Sequence, residues 1–106
     1  MLSRLFKRSQ PSQSPLFSSQ SLHMSEKVQW LASKGLLDPL LYVHRHMRGD
    51  WGDVGESGRR SNLVAITQMG PLHSRYRITP HLDLVVVTDE SRKTTIIQLP
   101  EELMSL

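Results

Sequence analysis

The side chains of this 106-residue chain that could do chemistry gather between His44 and Asp53. Two imidazoles, His44 and His46, precede the loop Gly49-Asp50-Trp51-Gly52-Asp53. An imidazole and two carboxylates make a donor set for a hard cation, so His44, Asp50 and Asp53 are the candidate metal ligands. Their spacing argues against that use. Two helical residues two apart point about 200° from each other, so His44 and His46 cannot chelate together, and the run matches no familiar metal motif. The preferred assignment is structural: Gly49 ends a helix, Asp50 and Asp53 hold backbone amides, and Trp51 anchors the loop in the core. No metal or other cofactor is assigned. A third use for the loop is recognition, with Asp50, Trp51 and Asp53 as partner contacts.

Nucleophilic catalysis has less support. The chain has no cysteine, and no G-x-S-x-G elbow carries a serine. Ser74 follows His73 on a strand, where neighbouring side chains face opposite sides. Glycines recur at 49, 52, 55 and 58, but without the lysine and preceding strand of a phosphate loop. The residues read as those of a protein that is not an enzyme.

Arginines supply the remaining candidate site. Arg45 and Arg48 share a helix face, Arg59 and Arg60 start the next helix, and Arg75 and Arg77 share a strand face. If these converge, six charges could follow a phosphate backbone, which is the nucleic-acid reading. They are not interleaved with exposed aromatics that would stack on bases. The sequence pI of 9.7 is a weaker argument than it looks. The whole net charge of +3 lies in Arg4, Lys7 and Arg8, and residues 25–106 are neutral, with ten basic and ten acidic side chains.

The elements that must position these residues are legible in the pattern. Ser25 before Glu26 caps a short helix over 26–34 with Val28, Leu31 and Ala32 inward. Asp38 as cap, Pro39 at the first helical position and Gly49 at the left-handed exit bound a second helix, with Leu36, Leu40, Val43 and Met47 on one face. Asp53 and Glu56 resemble a capping box for a third, which runs to about Gln68 with Leu63, Ala65, Ile66 and Met69 inward. After Gly70 the period falls to two, and 74–79, 82–88 and 94–99 read as strands. Their short links imply antiparallel hairpins. The expected fold is α+β: two to three short helices packed on a three-stranded antiparallel β-meander. Both faces of its middle strand are apolar. Helices cover one; the other, with Val85, Val87 and Ile96 near Arg75 and Arg77, is covered by a partner or a second copy, or else by the first helix or the C-terminal segment.

Residues 1–24 contain seven Ser, three Gln and no acid. This composition reads as a disordered tail ahead of a single domain at 25–106. The leading reading is an inert extension, for which a true translation start at Met24 is one reason; the alternatives are a basic arm touching nucleic acid, membrane or a partner, and an organelle transit peptide. No stretch approaches the roughly 18 apolar residues of a membrane-spanning helix.

The run GDWGDV at 49–54, Asn62, the strand end Tyr76-Arg77 and DLVVVTDESRKTTIIQLP at 83–100 resemble a group of short bacterial proteins carried on plasmids and integrated elements. Such proteins are called plasmid-related or carry the label of a type I restriction subunit. The resemblance covers roughly Leu36 to Leu103. Gly55-Glu56-Ser57-Gly58 departs from a more acidic helix start, and the second strand lacks a central aromatic. The restriction label fits poorly, because 82 residues cannot hold a methyltransferase domain with its cofactor site. The resemblance implies a cytoplasmic bacterial accessory protein of a mobile element that acts by protein contact, with inhibition of host restriction or CRISPR defence as the natural role.

Overall fold

The computed structural model describes residues 14–105, with side chains through Glu102. Helix α1 (Glu26–Ser33) starts where Ser25, in extended conformation, accepts a hydrogen bond from the Val28 amide on its side chain. Val28 is buried, and Leu31 and Ala32 are half-buried beside it, as the pattern predicts. Helix α2 (Pro39–Met47) begins on its proline and exits through Gly49 at φ +86°, a conformation that favours glycine. Helix α3 (Gly55–Gln68) ends on Met69 in the left-handed region, with φ 57°. Both Asp38 and Asp53 fail as caps: α2 has no side-chain cap bond, and α3 starts after Val54.

Two helix faces also differ from the pattern. On α2 the buried positions are Pro39, Val43 and His46, while Leu36 and Leu40 are exposed. Leu37 is the residue that enters the core after the Gly35 turn, which sets the helix about one position round from the apolar stripe. On α3 Asn62 and Ala65 are buried, whereas Leu63 and Met69, expected inward, are exposed. Asn62 holds the inward position because its amide bonds the neighbouring strand.

Strands β2 (Leu72–Thr79), β3 (Leu82–Thr88) and β4 (Thr94–Gln98) form the antiparallel meander, with Ser74 opposite Val86 and Val86 opposite Ile97. The sheet has a fourth strand. Strand β1 (Ser21–Met24) pairs in parallel with β4, Ser21 with Thr94 through Met24 with Ile97, so the order is β1-β4-β3-β2 and the sheet is mixed. Residues 14–24, expected in the disordered tail, are therefore built into the fold. The Leu16 amide donates to the Met47 carbonyl at 2.7 Å, and Phe17 packs with Trp51, Ala65 and Leu72. Arg4, Lys7 and Arg8, on which the basic-arm expectation rests, lie outside the described residues. A 3-10 turn (Pro100–Ser105) follows β4.

The main core lies on the helix-covered face: Tyr76, Leu84, Val86 and Ile97 from the sheet meet Val28, Leu37, Val43 and Leu99. Each such buried side chain contributes about 1.5–3 kcal/mol, before the entropy of ordering it is subtracted. No helix among the described residues is long and apolar enough to cross a membrane.

Candidate functional site

Strand β2 is a sheet edge, and an edge leaves a row of main-chain donors and acceptors unpaired. Here the Gly49–Asp53 loop and Asn62 occupy that row. The Asn62 side chain donates to the His73 carbonyl at 2.8 Å and accepts from the His73 amide at 3.1 Å. The Arg75 amide donates to the Trp51 carbonyl, and the Asp53 amide donates to the Arg75 carbonyl. An Asp53 carboxylate oxygen accepts from the Arg77 amide at 3.1 Å. Gly52, at φ +71°, lies so close that a Cβ would collide with the Arg75 carbonyl and the Tyr76 ring.

The same loop is tied to α2. Asp50 bonds the Arg45 guanidinium at 2.7 Å and accepts from the Gly52 amide. That hydrogen bond holds the guanidinium even more basic than usual. Tyr76 donates its hydroxyl to the Asp50 carbonyl at 2.6 Å, and the Arg45 guanidinium lies 4.7 Å from the centre of its ring. Burial raises the Tyr76 phenol pKa, so it stays a donor. Trp51 is only 5% exposed. The loop is thus a brace that closes the β2 edge, with Trp51 as its anchor, and Trp51 is not available as a partner contact.

Behind Trp51 lies a buried polar chain. His46 is fully buried, with Nδ1 at 2.5 Å from Ser74 Oγ and Nε2 at 2.9 Å from Thr88 Oγ1, which in turn bonds Thr95 Oγ1 at 2.7 Å. Phe17 and Trp51 meet its ring edge-on at 5.3 and 5.7 Å. Burial, reinforced by the positive charges of His73 and Arg92, pushes the imidazole down to about 3. A Ser–His pair at this distance has the outline of a nucleophile and its base. This one has neither access nor basicity: Ser74 is fully buried, the second ring nitrogen faces a threonine rather than a carboxylate, and an imidazole lowered to about 3 is too weak a base to take the serine proton. Sequence reading missed the network because its four members come from α2 and three strands. The one local signal was a histidine three residues beyond Val43, on the same helix face.

The candidate metal ligands are not brought together. His44 is exposed, Asp50 is paired with Arg45, and Asp53 is bonded to β2. Among the described residues no group of three His, Cys, Asp or Glu side chains is placed to hold a metal ion.

Nor do the arginines form one row. Arg45 lies over Tyr76 on the helix-covered face, whereas Arg75 and Arg77 project from the other face of the same strand. Both bond Asp83, through Nε at 2.8 and 3.5 Å, and the Arg75 bond above all holds that carboxyl below the usual carboxylate range. Arg60 reaches Glu56 at 3.9 Å on the exposed side of α3. Arg48 and Arg59 are exposed and make no ion pair among the described residues.

On the second sheet face a groove of about 790 Å³ runs between α3 and β2, lined by Ser61, Asn62, His73, Arg75, Arg77, Asp83 and Val87. Its two guanidiniums are matched by the carboxylates of Asp53 and Asp83, so it has no strong preference for an anion. The apolar trio expected on this face is mostly covered. Val85, in register between Arg75 and Gln98, is fully buried, Val87 is half-buried, and Ile96 alone is exposed, at 40%.

The fold and its site define a small α+β domain in which helices cover one face of a mixed four-stranded sheet and a tryptophan-anchored loop seals one edge. Comparison with protein-family models, with curated proteins and with solved structures finds no match.

Proposed function

We propose that this protein is a non-catalytic protein-interaction module of a bacterial mobile element, working in the cytoplasm through exposed apolar side chains of α1, α2 and the link between them. The observation that carries this reading is the exposure of large apolar side chains on α1, α2 and their link. Trp30, Leu36, Leu40 and Leu41 are 57, 60, 51 and 50% exposed, four large apolar side chains on one short unit. Large apolar side chains left exposed on neighbouring elements are the material of a contact surface. The chemistry-bearing groups support it from the other side, since His46, Ser74, Asp50 and Asp53 are all engaged in internal bonds. The contact surface proposed is therefore neither the Trp51 loop nor Val85. The resemblance to plasmid-related proteins supports inhibition of host defence, of the anti-restriction or anti-CRISPR type, as the purpose of the contact.

The test is retention of host proteins from a nuclease-treated lysate by the immobilised full chain, beside a Leu40→Glu plus Leu41→Glu variant of matching thermal stability. A stoichiometric protein partner held by the parent and lost from the variant is the expected result. Retention that disappears with nuclease, or that is equal for both proteins, overturns the proposal; the former favours nucleic-acid binding through the arginines.

A further inference from the structure

The two edges of the sheet are treated differently. From His73 to the Arg77 amide, β2 is closed by three devices: the Asn62 amide, the Gly52 approach and the Asp53 carboxylate. Strand β1, at the other edge, has none of these. Ser21 donates its amide to Lys93 and Ser25 to Ile97, so alternate residues point their main chain at β4 and those between point away. Leu22 and Met24 are the outward pair. Of their main-chain groups the Met24 carbonyl alone is met by a partner among the described residues, the Gln29 side chain at 2.8 Å. The strand, Ser-Leu-His-Met, has no Lys, Arg, Asp or Glu, no proline and no bulge, which are the usual protections of an edge.

We propose that β1 pairs with β1 of a second copy of the chain, antiparallel, about a two-fold axis at His23. That register is self-complementary. It sets Leu22 opposite Met24 of the second copy and Met24 opposite its Leu22, so the outward amides and carbonyls exchange hydrogen bonds in both halves, the Leu22 amide taking the place of the Gln29 side chain on the Met24 carbonyl. The side chains of these residues lie on the helix-covered face, aligned with Thr95 and Ile97, and are 42 and 37% exposed in the single chain. Pairing covers them and joins two sheets into one. No Lys, Arg, Asp or Glu of β1 opposes its own image. A four-residue contact is small, and an interface below roughly 1,200 Å² gives a weak dimer, with Kd on the order of 100 µM. This inference does not rest on the α1 and α2 surface proposed above, which uses different residues.

Sedimentation of the full chain from about 10 µM to about 1 mM tests it, because a dimer of this strength forms within that range. The expected mass rises from the 12.1 kDa of the chain toward twice that value. Leu22→Pro removes only an outward amide, and Met24→Lys puts a charge on the edge; each is expected to abolish the rise. Met24→Lys decides the matter if the proline variant loses its fold. The chain has no cysteine, so His23→Cys gives a clean cross-link. Across the two-fold axis the Cα atoms are expected about 4.5 Å apart, within disulfide range. Oxidation is expected to give covalent dimer at least about tenfold faster than for His81→Cys, placed in the exposed β2–β3 turn. A chain that stays monomeric throughout, a dimer that survives Met24→Lys, or cross-linking no faster than for His81→Cys overturns the proposal.

Discussion

Mild acid is expected to destabilise this protein by several kcal/mol, and His46 is the reason. Its imidazole sits near 3 in the folded chain against an ordinary 6.5. Between those values the unfolded chain binds a proton at this residue that the folded chain does not. Stability is therefore complete above about pH 6.5 and falls with pH by up to about 1.4 kcal/mol per unit. The loss is about 2 kcal/mol at pH 5 and about 3.4 kcal/mol at pH 4. A domain of this size has roughly 5–10 kcal/mol to lose. Protonation finds no compensation inside the core: the ring's partners are two hydroxyls, and the charges that reach it, His73 and Arg92, are positive. His73 is itself lowered by partial burial and by Arg75, so it adds to the same trend.

Urea denaturation from about pH 7.5 to about pH 4.5, followed by the fluorescence of buried Trp51 beside the His46 ring, measures the slope. The comparison is His46→Gln, which keeps a donor and an acceptor but cannot take a proton in this range. The variant is expected to be less stable near pH 7 by about 1–2 kcal/mol through altered packing, yet to lose much less on acidification. Proton NMR of His46 gives a second reading, with no titration expected above about pH 4. Parallel pH slopes for parent and variant, or an imidazole that titrates near its ordinary value, refute the argument.

Three further outcomes follow from the edge brace and the N-terminal segment. Asn62→Ala leaves the part-buried amide and carbonyl of His73 without their side-chain partner, and its loss in urea denaturation is expected at about 1–2 kcal/mol. Asn62→Asp is expected to fare no better at neutral pH, because a carboxylate cannot donate to the His73 carbonyl. Gly52→Ala places a methyl group against the Arg75 carbonyl at a positive φ; a loss of about 4 kcal/mol or more is expected, read as failure to give a cooperative thermal transition. Phe17→Ala removes a ring packed on His46 and capped by Arg92, and a loss of about 2 kcal/mol is expected by the same denaturation assay, together with enhanced proteolysis before Ser21.

Local signals in the sequence and long-range ones in the structure account for different parts of this fold. The Ser25 cap, Pro39, the Gly49 exit and the change of period after Gly70 are local, and they locate three helices and three strands to within a residue or two. Strand β1 has no such signal. Only two of its four residues are apolar and none is β-branched, and its partner β4 lies some seventy residues away in parallel register. The site divides in the same way. The motif Gly-Asp-Trp-Gly-Asp is conspicuous, and its glycines and carboxylates fit a metal loop and a structural turn equally well until the other half of each bond is known. That half is the Arg75 main chain, the Arg77 amide and the Arg45 guanidinium, each far away in sequence. His46 and Asn62 were hidden for a further reason. A polar residue on a helix is assigned to solvent unless its partners are in view, and here those partners are strand hydroxyls and a strand edge. Burial of a polar group depends on long-range pairing that an apolar stripe does not need, so in this chain the residues least legible from sequence are the ones that fix how α2 and α3 sit on the sheet.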